Sequence, residues 1–575
     1  MGRPGSRRPA TPWSLLAAAL LLCPAPSRAQ LAPRDSSRVA RAARDAQRDF
    51  EWHRRSNLQW TSGGSGGTCD ARIGRFCYWH GTTPDSAPPE AVTITRARDR
   101  LLAQLDTAAQ RLPGDGWIAG QRVRYFLEAG RRDSALAAAR ACAADAWWCE
   151  ALRGLVLHVD GRYAAAESTY DRALAEMPDS TRCAWTDLSV LLDGRAADRY
   201  RALSCDERGA LDARLWWLAQ PFYSLGANDL RTEHFARLTI VRIARESVWP
   251  VAASWDTDEH DLIVRYGWPR WFERVRPVLD ADPNYSVMGH DPQPSFAFFP
   301  DGRLIDSVYQ AVPGDWDLTA YRAQTRYAPA YTASVPRVPV LLSRFERGDS
   351  AVIVAAYDAS DDTLLVRHPF DAALVVTPDE RQYFTSRQAA APRTGALIAN
   401  VPRLAAIASV ELLDTAQRAA GRTREAVAPL PTGPELRLSD VLLFRPDPTA
   451  PMPQTLAEAA RTALVSVADT TRALGLYWEV YGRINAGEPV NVSLTIERTG
   501  MGWWQRARQW LRVGGGSAPI ALRWHDAARA GQPAMRRAVS VDLSRLDGGT
   551  YALRLEVETS SGRKAETGRT LDIRR

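Results

Sequence analysis

The chain has 575 residues, a formal net charge of +7, 45% apolar and 24% charged residues. At about 100–200 residues per domain it holds several domains, and it is too apolar for a disordered tail. The charge is unevenly placed: Arg3, Arg7, Arg8 and Arg28 lie in the first 29 residues, which carry no acid. Without that segment the net charge falls by four, to +3, which argues against a nucleic-acid-binding protein.

Residues 1–29 have the pattern of a secretory signal peptide. A basic start precedes the short apolar run Leu15–Cys23, Pro24 and Pro26 break it, and Ser27-Arg28-Ala29 offers a cleavage site. The apolar run is far shorter than the ~20 residues of a membrane span. Removing Cys23 leaves Cys69, Cys77, Cys142, Cys149, Cys183 and Cys205. An even count behind an export signal reads as three disulfides, and proximity suggests Cys69–Cys77, Cys142–Cys149 and Cys183–Cys205 among the 15 pairings that six cysteines allow. Cys142 and Cys149 would lie about 10.5 Å apart in one helix, too far to bond. Asp145 is therefore expected to start a new helix between them. A zinc site is disfavoured, because no C-x-x-C pair occurs and the histidines are scattered.

Asp35 to Trp60 reads as a charged helix, followed by the linker 61–68, a cysteine-clipped loop, and a helix ending near Arg111. Residues 115–220 alternate apolar helical runs with turns. Within Trp147–Asp179, the small residues Gly154, Ala166 and Ala173 would let two helices approach closely, with Leu157 and Tyr170 between them, Gly161 in the turn and Pro178 at the end. This stretch resembles a tetratricopeptide repeat.

Residues 221–275 contain Asn228-Asp229, Glu233, Phe235 and Arg237, then Trp255, Thr257 and Asp258, then Tyr266, Gly267 and Pro269. The pattern resembles the GWxTD domain of bacterial exported proteins, with Ser254 in place of the leading Gly and Asp261-Leu262 in place of an Arg-rich run. The resemblance implies a helix over the first group, a turn at the second, a strand ending at the third, and β units beyond. It supplies no known activity.

The Pro-rich stretch 276–345 shows strand-like patches at 295–299 and 303–309. Strands are expected at 351–357, 372–376, 395–400, 407–413 and 436–444, a short helix at 455–464, and further strands at 474–481, 490–497, 520–524, 537–543, 550–558 and 567–573. Period-2 alternation at Tyr551, Leu553, Leu555 and Val557 points to sandwiches. The fold class is thus multidomain α + β, with an N-terminal helical, tetratricopeptide-like half followed by C-terminal β-sandwich domains. The divisions are 1–29 signal peptide, 30–112 N-terminal helical and linker region, 113–220 tetratricopeptide-like domain, 221–275 GWxTD-like segment, 276–345 connector, 346–450 β-sandwich-like domain, and 451–575 C-terminal fibronectin- or immunoglobulin-like sandwich with an insertion at 500–516.

The acidic cluster Asp256, Asp258, Glu259, His260 and Asp261 is the first candidate for chemistry, since alternating carboxylates can bind a hard cation. No Gly or distal Glu completes a calcium loop, and a solvated turn before a buried strand at 262–264 explains the cluster equally. Gly63–Gly67 fits G-x-S-x-G but lacks the strand and helix of a nucleophile elbow. No H-E-x-x-H, phosphate loop or dinucleotide fingerprint occurs, and His234 reads as a core residue. Trp147, Trp148, Trp216, Trp217, Trp249, Trp255, Trp268 and Trp271 fall in the helical half, as core or as an aromatic groove. Residues 500–516 place Trp503, Trp504 and Trp510 on one face of a helix, with Arg506 among the polar positions, for membrane-surface contact or self-packing.

The expectation is a non-catalytic exported envelope scaffold or binding protein. Its helical repeats would offer an open concave face, and its partner would be an envelope protein, peptide or glycan. Trp255, Asp258, Tyr266, Trp503, Trp504, Arg506 and Trp510 are the binding candidates; no catalytic residue, metal, cofactor or nucleic acid is expected. The alternative is an envelope hydrolase or metal-binding enzyme using residues 256–261.

Overall fold

The computed structural model describes residues 33–60, 70–74, 76–78, 87–251, 256–275, 286–291, 294–318, 324–362, 365, 369–467, 472–482, 487–499, 519–527 and 534–574. Residues 1–29, read above as a signal peptide, Cys69 of the expected Cys69–Cys77 pair, Trp255 and the 500–516 segment with Trp503, Trp504, Arg506 and Trp510 lie outside them.

The first half is helical. A long amphipathic helix α1 (Pro33–Asn57) packs on α2 (Val92–Arg111), with a small hairpin β1 (Ala71–Ile73) and β2 (Phe76–Tyr78) between them in sequence. There follow α3 (Gly116–Glu128), α4 (Arg132–Arg140), α5 (Ala146–Val159), α6 (Tyr163–Glu176), α7 (Asp179–Trp185), α8 (Gly194–Arg201), α9 (Cys205–Ala219), α10 (Asp229–Arg245) and α11 (Thr257–Tyr266). Asp145 begins α5, so Cys142 and Cys149 stand on either side of a turn, and their Cα atoms are 5.6 Å apart in a disulfide. A second disulfide joins Cys183 in α7 to Cys205 at the start of α9. Both bonds agree with the sequence pairing and with an oxidising, exported environment.

The α5–α6 hairpin is as close as the small residues suggested. Tyr170 is fully buried, and a Cβ on Gly154 would sit 2.7 Å from its ring. The concave side of this helical layer is not open, however. Helix α10 fills it, packing on α3, α5 and α6 through Phe235, Ala236 and Ile243. Seven of its last ten residues are apolar or threonine (Ala236, Leu238, Thr239, Ile240, Val241, Ile243, Ala244), which suits a helix enclosed on several faces.

Two sequence expectations are corrected in the next stretch. The strand expected at 262–264 is part of helix α11. Asp256 and Glu259 form a capping box: Asp256 Oδ1 accepts from the Asp258 N–H and Glu259 Oε2 from the Asp256 N–H, which nucleates a helix where apolar content alone suggested a strand. Residues 303–309 are also helical, as α12 (Leu304–Ser307) and a 3-10 turn, not strand-like, whereas 294–299 contribute one bridge, Phe296 to Tyr327. The strands β3 (Trp271–Val275) and β4 (Ser286–His290) pair as a separate antiparallel ladder. The stretch read as a connector instead fills a junction: Leu304, Val308, Ala311 and Trp316 pack between Trp217 and Leu218 of α9 and Ala373, Val375 and Ile407 of the following sheet.

The second half is β. Strands β5 (Val340–Arg347), β6 (Ser350–Asp358) and β9 (Thr394–Pro402) form one antiparallel sheet, and β7 (Phe370–Thr377), β8 (Phe384–Ala391), β10 (Ala406–Asp414) and β11 (Ala419–Val427) form another in the order β11-β10-β7-β8. They enclose a shared core with Ile353, Leu374, Leu397 and Leu412. In the last unit, β12 (Arg437–Leu438) and β13 (Leu442–Phe444) pair one edge of β14 (Ala473–Tyr481), after the short helix α13 (Leu456–Ala460), and β17 (Met535–Asp542) pairs the other. The facing sheet runs β16-β15-β18-β19, with β15 at Pro489–Arg498, β16 at Ile520–Ala527, β18 at Gly549–Thr559 and β19 at Lys564–Ile573. Tyr551, Leu553, Leu555 and Val557 alternate inward on β18, as their spacing required.

The halves are joined by a buried carboxylate. Glu411 of β10 accepts from the Tyr223 and Ser224 backbone N–H groups at 2.9 and 2.8 Å, while Arg424 of β11 donates to the Leu218, Gln220 and Pro221 carbonyls. Replacing Glu411 by Ala leaves two buried donors unmatched and Arg424 without its counter-charge. The expected loss is about 3–5 kcal/mol, read as an earlier urea transition; an unchanged midpoint would show that this contact does not hold the halves together.

Candidate functional site

A cavity of about 680 Å³ lies beside α10. Its walls come from the ends of α1, α3 and α5, the starts of α2 and α6, one face of α10, residues 266–272 and residues 326–330.

One wall is a buried charge cluster. Arg54 and Arg124 share Glu51 and Glu128, with contacts from 2.5 to 2.9 Å, and Tyr125 donates to Glu51 at 2.7 Å. Burial pushes the Glu128 carboxyl up, but Arg54 and Arg124 outweigh it and hold it down at about 2. The cluster is therefore a fixed ion network at neutral pH.

The opposite wall is built on Glu233 and Arg237, one helical turn apart on α10. Arg237 Nε donates to Glu233 at 2.6 Å, Nη1 to the Val264 and Arg265 carbonyls at 3.1 and 2.8 Å, and Nη2 to the Arg326 carbonyl at 2.7 Å. Glu233 also meets His158 Nε2 at 2.7 Å, and His158 Nδ1 meets Thr232 Oγ1 at 2.8 Å. Burial raises the Glu233 carboxyl, but Arg237 and His158 together hold it well below the usual carboxylate range. Both imidazole nitrogens are hydrogen-bonded, and the Thr232 hydroxyl donates its own proton to the Asp229 carbonyl at 3.0 Å, so that proton is turned away from His158. Gly267 closes α11 at φ +91°, and a Cβ there would meet the Arg237 guanidinium at 3.4 Å.

Behind this wall is a second buried acid. Asp229 accepts from the Tyr331 hydroxyl at 2.9 Å, and burial raises its carboxyl to about 6 against those hydrogen bonds. Tyr163 lies between His158 and Tyr331, with centroid distances of 5.4 and 6.2 Å.

Of the candidates named from sequence, Tyr266 is at the cavity, half of a ring stack with Tyr78 at 3.8 Å. Asp258 is not: it sits in the first turn of α11, and Asp256 and Glu259 cap that helix instead of converging on a cavity. Among the described residues no cluster of His, Cys, Asp and Glu could hold a metal ion. Trp268 and Trp271 line the cavity, whereas Trp147, Trp148, Trp216, Trp217 and Trp249 are core. His234 is buried beside Trp216, and burial drives its pKa down to about 3. The sequence reading passed over His158, Arg124, Glu128 and Arg326. Each joins a partner more than 70 positions away, and the one local signal was the i,i+4 spacing of Arg124 and Glu128 on α3.

No family model matches the chain, and no curated protein matches it. Solved structures similar to parts of it include red sea bream transglutaminase (TM-score 0.13, 10% identity, 42% of this chain and 32% of that one). Another is the FN1-FN3 segment of chicken CNTN1 (TM-score 0.15, 11% identity, 44% and 71%). The chain thus spans about a third of the transglutaminase's length. At these TM-scores neither likeness bears on activity or partners. Among the described residues no helix is long and apolar enough to cross a membrane.

The Asp229 shift has a measurable sign. Its folded pKa, about 6, lies above the ordinary 3.8, so folding favours the neutral acid. That stabilisation is full below pH 3.8 and is lost as pH rises through 6. Relative to Asp229→Asn, the protein is expected to lose up to about 3 kcal/mol across this window, measured by urea unfolding at several pH values. Parallel curves for the two proteins would contradict the assignment.

Proposed function

We propose that this is a non-catalytic exported envelope scaffold or binding protein, and that its partner enters the cavity beside α10. The observation that carries this reading is the state of the cavity's acids and bases. Glu128, Glu233 and His158 are each held by fixed partners, and the Thr232 hydroxyl beside His158 donates to the Asp229 carbonyl, which shapes a rigid wall suited to binding. The sequence resemblance to GWxTD exported proteins adds support. Glu233, Arg237, Tyr266 and Gly267, which carry that resemblance, line this cavity, and Asp229 lies behind it. The tetratricopeptide-like hairpin α5–α6 supports a partner-binding role as well, with the site displaced from the filled concave face to its flank. The two disulfides and the leader-like residues 1–29 support export. The hydrolase or metal-enzyme alternative would need Asp256, Asp258 and Glu259 to converge on a pocket, and the helix cap directs them elsewhere.

The test is capture of partners from the native envelope by the mature chain, followed by mass spectrometry. Val159 lines the cavity at 40% exposure, so Val159→Trp blocks the space without disturbing the core. Recovery of the specific partner is expected to fall about tenfold or more, the factor of a lost 1.4 kcal/mol, with thermal unfolding unchanged. Equal recovery by both proteins would remove the cavity from the account.

A further inference from the structure

The cavity wall carries seven arginines: Arg54, Arg98, Arg124, Arg132, Arg237, Arg270 and Arg326. Six have a carboxylate partner. Arg54 and Arg124 share Glu128, Arg98 meets Glu90, Arg132 meets Asp160 at 3.7 Å, Arg237 meets Glu233 and Arg270 meets Asp291 at 3.3 Å. Arg326 alone forms no ion pair among the described residues. It donates through Nε to Ser295 Oγ at 3.1 Å and through Nη2 to the Ser295 carbonyl, which leaves Nη1 uncommitted. Its backbone carbonyl is held by Arg237, and its half-buried guanidinium has no ion-pair partner, Asp70 acting on it only at longer range. Burial lowers its pKa, and the tyrosines Tyr78 and Tyr266 and Asp70 only partly oppose this. A half-buried cation without an ion-pair partner is stabilised by an anion brought to it.

Two further donors on the same wall are unmatched. Trp271 Nε1 and Arg98 Nε are buried and have no hydrogen-bond partner. The wall's acids, by contrast, are already engaged by arginines and His158. A sugar, whose hydroxyls donate as well as accept, would find few free acceptors. Between the charged pairs the lining is apolar: Ile94, Leu127, Leu155, Ile240 and Phe272.

We infer that the cavity binds a small amphipathic organic anion, a carboxylate on an apolar body, with the carboxylate at Arg326 Nη1 and the body against Ile94, Leu155 and Phe272. This rests on the reading of the cavity as a binding site and names the class of ligand it takes. Arg326 supplies the charge, Trp271 Nε1 is a neutral donor on the same wall, and the space limits the ligand to about 680 Å³.

The test uses the mature chain with dodecanoate, dodecanol and a short peptide with a free C-terminal carboxylate, followed by calorimetry. Dodecanoate is expected to bind about tenfold or more tighter than dodecanol, the effect of one charge-assisted hydrogen bond. Arg326→Gln is expected to abolish that preference. Trp271→Phe, which keeps a smaller aromatic ring and removes the indole N–H, is expected to weaken dodecanoate several-fold, about the worth of one neutral hydrogen bond. It keeps the proposal testable if Arg326→Gln fails to fold. Equal binding of dodecanoate and dodecanol, or binding of the peptide but not dodecanoate, would overturn the ligand class. Envelope capture that is lost in Val159→Trp while dodecanoate fails to bind would overturn this inference and leave the binding function standing. Dodecanoate binding that Val159→Trp does not weaken would overturn both.

Discussion

One guanidinium organises the helical half. Arg237 is almost fully buried, with its side chain 6% exposed, and it ties its own helix to the next one, α11, and to the distant residue Arg326. Its Nη1 meets the Val264 and Arg265 carbonyls in the last turn of α11, where a helix has carbonyls without intrahelical partners and favours a cation. Its Nη2 meets the carbonyl of Arg326, and its Nε meets Glu233 on its own helix. Lysine would offer a point charge without this fork, and could not reach three directions at fixed angles. The cavity exists because α10, α11 and residues 326–330 are tied at this distance and no closer.

The same device recurs along the chain. Glu51, Glu411 and Glu479 are each fully buried, and each stands where two elements or units meet. Glu479 takes both nitrogens of Arg347 at 2.5 and 2.9 Å and the hydroxyls of Tyr477 and Tyr481, which ties β5 of the first sandwich to β14 of the second. Buried ion pairs contribute little net stability compared with apolar packing, but breaking one is costly. Their effect here is geometric: they fix how the helical half, the first sandwich and the last sandwich adjoin. With one lysine in the sequence, nearly every such pair is made by arginine.

Much of the architecture was legible locally. The period-2 runs of β14, β15 and β18 and the small-residue spacing of α5–α6 each follow from a repeat of two or of about 3.6 residues. The pairs Cys142–Cys149 and Cys183–Cys205 were equally readable. What failed was governed by a different interaction. Asp256 and Glu259 looked like a metal or turn cluster because side-chain capping and cation binding use the same residue types at similar spacing. The stretch 303–309 has strand-like apolar content, but Leu304 and Val308 lie four apart on one helical face and pack between α9 and the sheet. At the site, Tyr266 was identified and Glu233 and Arg237 were singled out, because they belong to a compact pattern. His158 and Arg326 were not, because their partners are reached only through the fold, and the Arg124–Glu128 spacing on α3 did not by itself point to Glu51.

The account depends most on Arg237 as the tie that shapes the cavity wall, and amide hydrogen exchange on Arg237→Lys tests that directly. Faster exchange is expected at residues 263–267 and 325–328, with residues 340–574 unchanged, since only the helical half loses hydrogen bonds. Exchange identical to the unsubstituted protein in those two segments would contradict the claim, as would a uniform increase across both halves.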